Sequence, residues 1–454
     1  MLARTITLGC LLSLAFGLTA CGGDDPEDAG IDTPPPPPPR DTGVDAPPPT
    51  DFPYKGPWVM APTTESALVR WESQLAPPTA SVSVRPEAGG AALMFSGTST
   101  QTEVMLSYGV GTRLVTRPDY PGTYFVNQIT MTGLSPATCY LYELDGFTGE
   151  GGRFCTMHAS DDHTTPIRFY AIGDTSPAIM GTVRLIQEND PRTTEFSIHV
   201  GDIQYYSTLL ESQQYWFELM APMLEANAFL PCVGNHESEE DHEWEDIYLR
   251  LFDHPGGEEG VNAGDNGTIY YHFETGGVHF FSMSTEHPLE IGSDQYDWFV
   301  DTLTAVEADP NYRFSILYLH RPLYSYGDWN PRAELVDALD PLVRDHRIPL
   351  VLSGHMHGYE RFEIDYPTAG PGGLGHATHV TTGAGGFPGT PTSVSERLPT
   401  DPDAAALRVS AGAFFQSMII EVVPSSDGTA DLIQATTLDD LGATRDSFEI
   451  SVAR

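Results

Sequence analysis

The sequence predicts a multi-domain α+β chain, an antiparallel β-sandwich followed by an α/β domain whose buried strands are flanked by helices. Between residues 56 and 157, short alternating runs recur between turn signals without helical periodicity, as the strands of a small sandwich do. From about residue 166, apolar runs of strand length alternate with amphipathic stretches, the layout of strands covered on both faces. With 40% hydrophobic and 10% aromatic residues among 454, the chain can bury a sizeable core, which excludes global disorder. Acidic residues outnumber basic ones 63 to 22, a formal net charge of −41, and Lys55 is the only lysine. Such a chain repels nucleic acid, so a nucleic-acid-binding role is disfavoured. The acidity fits either a salt-adapted surface or simple solubility.

The N-terminus reads as an address. Arg4 is followed by an apolar stretch over residues 6–17 that is too short to span a bilayer. It ends in Leu18-Thr19-Ala20-Cys21, which resembles a bacterial lipobox. Residues 1–20 are therefore expected to be a lipoprotein signal peptide, with Cys21 carrying the lipid that anchors the protein to a membrane. Gly22 after the cysteine fits the outer membrane, with the protein facing the periplasm or the cell surface. Residues 21–55 form a disordered Pro/Asp-rich tether, because the proline runs at 34–39 and 47–49 stay extended and pack no core.

Within the sandwich, strands are expected at 67–71, 91–95, 103–108, 123–131, 140–144 and 153–155. The run Leu134-Ser135-Pro136-Ala137-Thr138-Cys139-Tyr140-Leu141-Tyr142, closing with Phe154-Cys155-Thr156, resembles the end of a fibronectin type III domain. No catalytic constellation occurs here, so the unit reads as a scaffold. Cys139 and Cys155 fall on adjacent strands in an oxidising compartment. A turn centred on 149–152 would hold them too far apart to bridge, and one nearer Phe147 would set them opposite. Cys232 reads as a buried strand residue.

In the α/β part, strands are expected at 167–172, 196–200, 229–233, 314–319 and 350–352, with helices at 180–188, 294–306 and 332–344. Ligands in such folds gather at the carboxyl ends of strands. The five strands end in Gly173-Asp174-Thr175-Ser176, Gly201-Asp202-Ile203-Gln204-Tyr205, Gly234-Asn235-His236-Glu237, His320-Arg321-Pro322 and Gly354-His355-Met356-His357-Gly358-Tyr359-Glu360-Arg361. In four of the five, glycine before the polar residue lets the chain turn sharply. His355 and His357, two apart, would point the same way on a regular strand. Each piece alone is commonplace, but five in one order can supply the ligands of two metal ions.

This set resembles the calcineurin-like metallophosphoesterases, and among them the purple acid phosphatases, over roughly residues 56–454. The wider superfamily carries Asp-x-His in the first motif. Here Ser176 holds that place, and Tyr205 stands three residues after Asp202, as in the purple enzymes. The resemblance implies two central β-sheets flanked by helices and an acid phosphatase that hydrolyses small phosphate monoesters with a metal-bound hydroxide. It implies Fe(III) held by Asp174, Tyr205 and His357, with Asp202 bridging to a second ion, Fe, Zn or Mn, completed by Asn235, His320 and His355. Hard phenolate and carboxylate donors suit Fe(III), and imidazoles suit the divalent ion. His236 and Asp202 are the implied catalytic residues, with Glu237 either orienting His236 or forming a surface salt bridge. Glu360 and Arg361 are expected to be structural.

The sequence departs from the family in two places. Ser176 replaces a glycine, and no histidine follows His320 by about ten residues, where plant-type members carry a proton donor. Asp328 in its place, or His236 alone, would then protonate the leaving group. A phosphodiesterase acting on nucleotides or lipid head groups is the alternative for the same site, and a non-catalytic binding protein is disfavoured because no ligand is missing. Among the other histidines, His199 and His279 are expected to be packed in strands and His242, His254, His287 and His346 to be surface or loop residues. His376 and His379 precede the glycine-rich 381–386 strand end and are more readily structural than part of the site.

Overall fold

The computed structural model describes residues 55–454 apart from 77–78, 105–108, 111–112, 115–121, 148, 178–180, 206–209, 211–212, 243–244, 253–268, 328–331, 388, 390 and 392–406. The expected signal peptide, Cys21 and most of the tether lie outside the described residues, as does Asp328.

The alternating N-terminal runs form β1 (Lys55–Met60), β2 (Ser66–Ser73), β3 (Ala80–Pro86), β4 (Leu93–Val104), the short pair β5 (Gly109–Val110) and β6 (Arg113–Leu114), β7 (Gly122–Thr132), β8 (Cys139–Leu144) and β9 (Gly151–Cys155). All but the short pair join one antiparallel sheet in the order β1-β2-β7-β4-β3-β8-β9. The expected strands at 91–95 and 103–108 are the two ends of β4, which serves both halves by pairing first with β3 and then with β7. Gly97 makes the switch feasible, since a Cβ there would lie 2.0 Å from the Gln128 carbonyl oxygen. The chain turns between Leu144 and Glu150, around Phe147, so Cys139 and Cys155 stand opposite each other and are bonded. β1 and β3 were not expected from the sequence.

The α/β part contains β10 (Ile167–Ile172), α1 (Thr182–Glu188), β11 (Phe196–His199), α2 (Glu218–Leu224), β12 (Ala228–Pro231), α3 (Asn235–His242), α4 (Glu245–Phe252), β13 (Tyr271–Thr275), β14 (Val278–Met283), α5 (Asp294–Glu307), β15 (Phe314–Leu319), α6 (Ala333–Asp345), β16 (Leu350–Ser353), β17 (Tyr359–Asp365), β18 (His376–Thr382), β19 (Arg408–Gly412), β20 (Gln416–Pro424), β21 (Ala430–Asp439) and β22 (Thr444–Ala453). One sheet runs β12-β11-β10-β20-β21-β22 and the other β13-β14-β15-β16-β18-β17-β19. β10, β11 and β12 are mutually parallel, as are β14, β15, β16 and β18.

Period-2 alternation sorts these strands' side chains. Phe169, Phe196 and Ile420 from one sheet meet Phe280, Ile316 and Leu350 from the other in a shared core. The Phe169 and Phe280 rings lie 5.3 Å apart edge to face, a geometry favoured by the ring quadrupole. Their neighbours point outward: Tyr170 and Ile172 pack with Leu185 of α1 and Met220 of α2. Phe281, Leu317 and Val351 pack with Phe299 of α5 and Leu339 of α6. Ser293 starts α5 by accepting a hydrogen bond from the Tyr296 N–H, satisfying one exposed donor of the first turn. The result is two central sheets with helices on both outer faces. Among the described residues no helix is long and apolar enough to cross a membrane.

The N-terminal strands are pinned to this part by buried polar contacts. Arg153 donates from Nη1 to the carbonyl oxygens of Thr194 and Ala226 and to Asn227 Oδ1. Trp58 Nε1 and Arg70 Nη1 donate to the Leu251 and Arg250 carbonyl oxygens.

Candidate metal centre

The parallel strands β10, β11, β15 and β16 deliver their carboxyl ends to one place. Turns cross-link there, with Asp174 N donating to Gly201 O and Gly354 N to His320 O. Asp174, Asp202 and His355 have φ of 56°, 52° and 67°. Side chains rarely adopt that left-handed conformation, and it persists where the surroundings over-determine it, often at functional sites. The adjacent glycines leave room for the ligands themselves. A Cβ on Gly354 would lie 2.4 Å from Asp174 Oδ2, and one on Gly234 would lie 2.3 Å from Asp202 Oδ1.

All seven expected metal ligands are brought together. Atoms of Asp174, Asp202 and His357 form one group and those of Asp202, His320 and His355 a second, each within 4.8 Å, with Asp202 common to both. Tyr205 joins the first group: its hydroxyl donates to Asp174 Oδ1 at 3.0 Å and lies 2.6 Å from His357 Nε2. Asn235 joins the second, its Oδ1 lying 2.9 Å from both His320 Nε2 and His355 Nδ1. Asp202 Oδ1 is 3.3 Å from His320 Nε2. His236 stands at the edge, its ring 4.3 Å from that of Tyr205 and its Nε2 3.8 Å from Asp202 Oδ2.

The donor set fits cations. His320 Nδ1 lies 2.9 Å from the Val200 carbonyl oxygen, which can only accept, so the proton sits on Nδ1. That leaves Nε2 facing only the oxygens of Asn235 and Asp202, a convergence of lone pairs that a proton or a metal ion must fill. Burial alone would lower the His320 pKa, but Asp202 and then Asp174 raise it to about 9. Burial pushes the Asp174 carboxyl up, and the negative Asp202 adds to this against His320. Asp202 is pulled well below its ordinary value, because His320 and His236 outweigh the burial that opposes ionisation. Burial lowers His357 to about 3 and His355 well below the usual range, which keeps both imidazoles neutral as ligands must be.

Several neighbours differ from expectation. Glu237 forms neither a surface salt bridge nor a support for His236. It is buried and accepts the N–H groups of Asp202, Ile203 and Gly234, tying the second and third strand ends together. Burial and then Asp202 raise its pKa to about 7. Ser176 turns away from the ligands and donates to Gln204 Oε1. Two neighbours were missed by sequence reasoning. Phe387 stacks on the His357 ring at 3.9 Å, and Glu286 grips Arg321 through two hydrogen bonds. Gly-rich spacing signalled the first weakly, and nothing local signalled the pairing of residues 35 apart.

Glu360 is structural, accepting from Ser325, Tyr326 N and Arg408. Arg361 pairs with Asp446. His199 bonds Thr175 Oγ1 and His279 bonds His272, both buried. His287 and His346 lie in loops, half-buried and paired with Glu245 and Glu307. His376 pairs with Glu363 and Asp365, while His379 is buried against the Tyr324 ring. Cys232 is buried just past β12. The His242 side chain and His254 lie outside the described residues.

Residues 167–359 match the calcineurin-like phosphoesterase family. The chain is 26% identical over 276 residues to purple acid phosphatase 21 of Arabidopsis thaliana, a match covering 58% of this chain and 60% of that one. It is 25% identical over 296 residues to purple acid phosphatase 15 of the same plant, covering 55% and 53%. The chain thus spans little more than half the length of these relatives. The fold is similar to that of a purple acid phosphatase from yellow lupin (Lupinus luteus) seeds, with a TM-score of 0.65 at 19% identity over 87% of this chain and 74% of that one. The chain therefore carries a calcineurin-like metallophosphoesterase domain with purple acid phosphatase relatives.

Proposed function

We propose that the protein is an acid phosphatase that hydrolyses phosphate monoesters at a two-metal centre. The observation that carries this reading is the Asp202 carboxylate, shared between two ligand groups. A carboxylate has two oxygens with free lone pairs and can hold two ions at once. Asp174, Tyr205 and His357 would hold Fe(III), with the hard phenolate and carboxylate suited to it. Asn235, His320 and His355 would hold the second, divalent ion. Two ions so held would supply the Lewis acidity for displacement at phosphorus by water. The chain's own groups do the rest. Glu237 fixes the Asp202 turn, the Val200 carbonyl keeps the His320 proton on Nδ1, and His236 at the edge delivers a proton to the leaving oxygen.

The N-terminal strands serve as a fibronectin type III-like scaffold, and a lipid on Cys21 tethers the enzyme to the bacterial outer membrane. Metabolic labelling with radioactive palmitate tests the anchor: label should be present in the full chain and absent from Cys21→Ala.

The activity itself is tested with protein loaded with iron and zinc, by comparing para-nitrophenyl phosphate with bis(para-nitrophenyl) phosphate. The monoester should turn over at least tenfold faster in kcat/KM. Faster diester hydrolysis would make the protein a phosphodiesterase, and turnover of neither would sink the enzymatic reading.

A further inference from the structure

We propose that Arg321 sets the substrate class by receiving a second anionic group, a carboxylate or a further phosphate, carried by the leaving group of the ester. The inference rests on the phosphatase reading and concerns the same site. Arg321 follows His320 at the carboxyl end of β15. Its Nε donates to Glu286 Oε1 at 2.7 Å and its Nη2 to Glu286 Oε2 at 3.1 Å, a side-on pairing that fixes the guanidinium plane. Nη1 lies 2.9 Å from His355 Nε2. Glu286 is itself held, its Oε1 accepting from Thr285 Oγ1, which accepts the Arg321 N–H.

An arginine has five N–H groups. Three are engaged here, and two, one on each terminal nitrogen, have no partner among the described residues. An N–H on either terminal nitrogen can donate to a carboxylate or phosphate oxygen. The Arg321 side chain keeps 16% of its surface exposed, against 8% for its partner Glu286.

Position decides between the scissile phosphoryl group and a second anion. His355 Nδ1 faces Asn235 within the ligand cluster, and Arg321 meets the opposite ring nitrogen. One whole imidazole therefore separates the guanidinium from the place where the reacting phosphorus would sit. Charge decides in the same direction. The chain carries a net −41. A leaving group bearing its own negative charge would be repelled unless a fixed cation met it.

The test uses two matched pairs of esters on the metal-loaded protein: 2-phosphoglycerate against glycerol 2-phosphate, and fructose 1,6-bisphosphate against fructose 6-phosphate. In each pair only the first member carries the extra anion near the leaving oxygen or farther along. The wild type should prefer the doubly anionic member of at least one pair about tenfold or more in kcat/KM, the range of a charge-assisted hydrogen bond. Arg321→Ala should erase that preference through KM, bringing the ratio within each pair to about one, whatever common loss follows from removing the group beside His355. Because Arg321→Ala strands the buried Glu286, Arg321→Gln/Glu286→Gln provides a neutral pair and should behave alike. Titration calorimetry with the same four ligands reads the difference without turnover. Equal affinities in both pairs, or an equal loss on all four esters, would overturn the proposal. Turnover of no ester would instead count against the phosphatase reading, with calorimetry still deciding the role of Arg321.

Discussion

At the scale of the residue, the site depends on atoms that almost touch. Gly354 illustrates this, because a methyl group there would lie 2.4 Å from Asp174 Oδ2 and 2.9 Å from the Val200 carbonyl oxygen. Gly354→Ala should displace Asp174 and lower metal affinity about 10–100-fold, the range seen when a ligand's support is lost. Metal titration followed by mass spectrometry reads that loss directly. Tyr205 gives a second handle. Its hydroxyl sits between Asp174 and His357, so as a phenolate on Fe(III) it should colour the oxidised, iron-loaded protein. Tyr205→Phe should abolish the visible absorption, and a colourless wild type with iron bound would place the tyrosine outside the shell. The convergence of these seven side chains was legible in the sequence because each lies just past an apolar strand. Glu237 and Glu286 were less so, since what they grip is set by the way distant turns meet rather than by any local spacing.

At the scale of the element, two features carry energetic predictions. The Cys139–Cys155 bond closes a loop of sequence separation 16 between β8 and β9. Removing it should cost about 3 kcal/mol by loop entropy, measurable by comparing denaturant midpoints of wild type and the double serine variant. In the β13–β14 hairpin, His272 and His279 stack and share a hydrogen bond. Burial lowers their pKa values to about 4 and about 3, with His272 further depressing His279. The unfolded chain binds these protons below about pH 6.5, so between there and about pH 4 it holds more protons than the folded one. Stability must therefore fall as pH falls through that window. His272→Leu/His279→Leu should flatten this slope in thermal melts taken from pH 7 to pH 4. Strand periodicity made β10 and β15 legible to the residue, because they are buried apolar runs bounded by turn signals. β20, β21 and β22 escaped because they alternate with polar residues and lie far along the chain from the strands they join. Only the pairing of β20 with β10 shows that they complete the sheet.

At the scale of the whole molecule, the two sheets hold the centre by meeting face to face, and the aromatic contact of Phe169 and Phe196 with Phe280 sits at the middle of that interface. The strand ends that bear the ligands are continuous with this core, so its rigidity is what keeps seven side chains converged. The net charge of −41 works against compactness through self-repulsion, which salt screens. The composition alone made the acidity legible, but whether it serves salt adaptation or solubility is a property of the surface as a whole. All of this converges on Asp202, the one carboxylate common to both ligand groups. The most direct measurement is hydrolysis of para-nitrophenyl phosphate from pH 4 to pH 8 by the iron- and zinc-loaded protein, with Asp202→Asn beside it. The account predicts turnover with an acidic optimum and a loss of at least a thousandfold in the variant, on the scale of removing one principal electrostatic element. Undiminished turnover by Asp202→Asn, or none from wild-type protein that holds two ions, would contradict it.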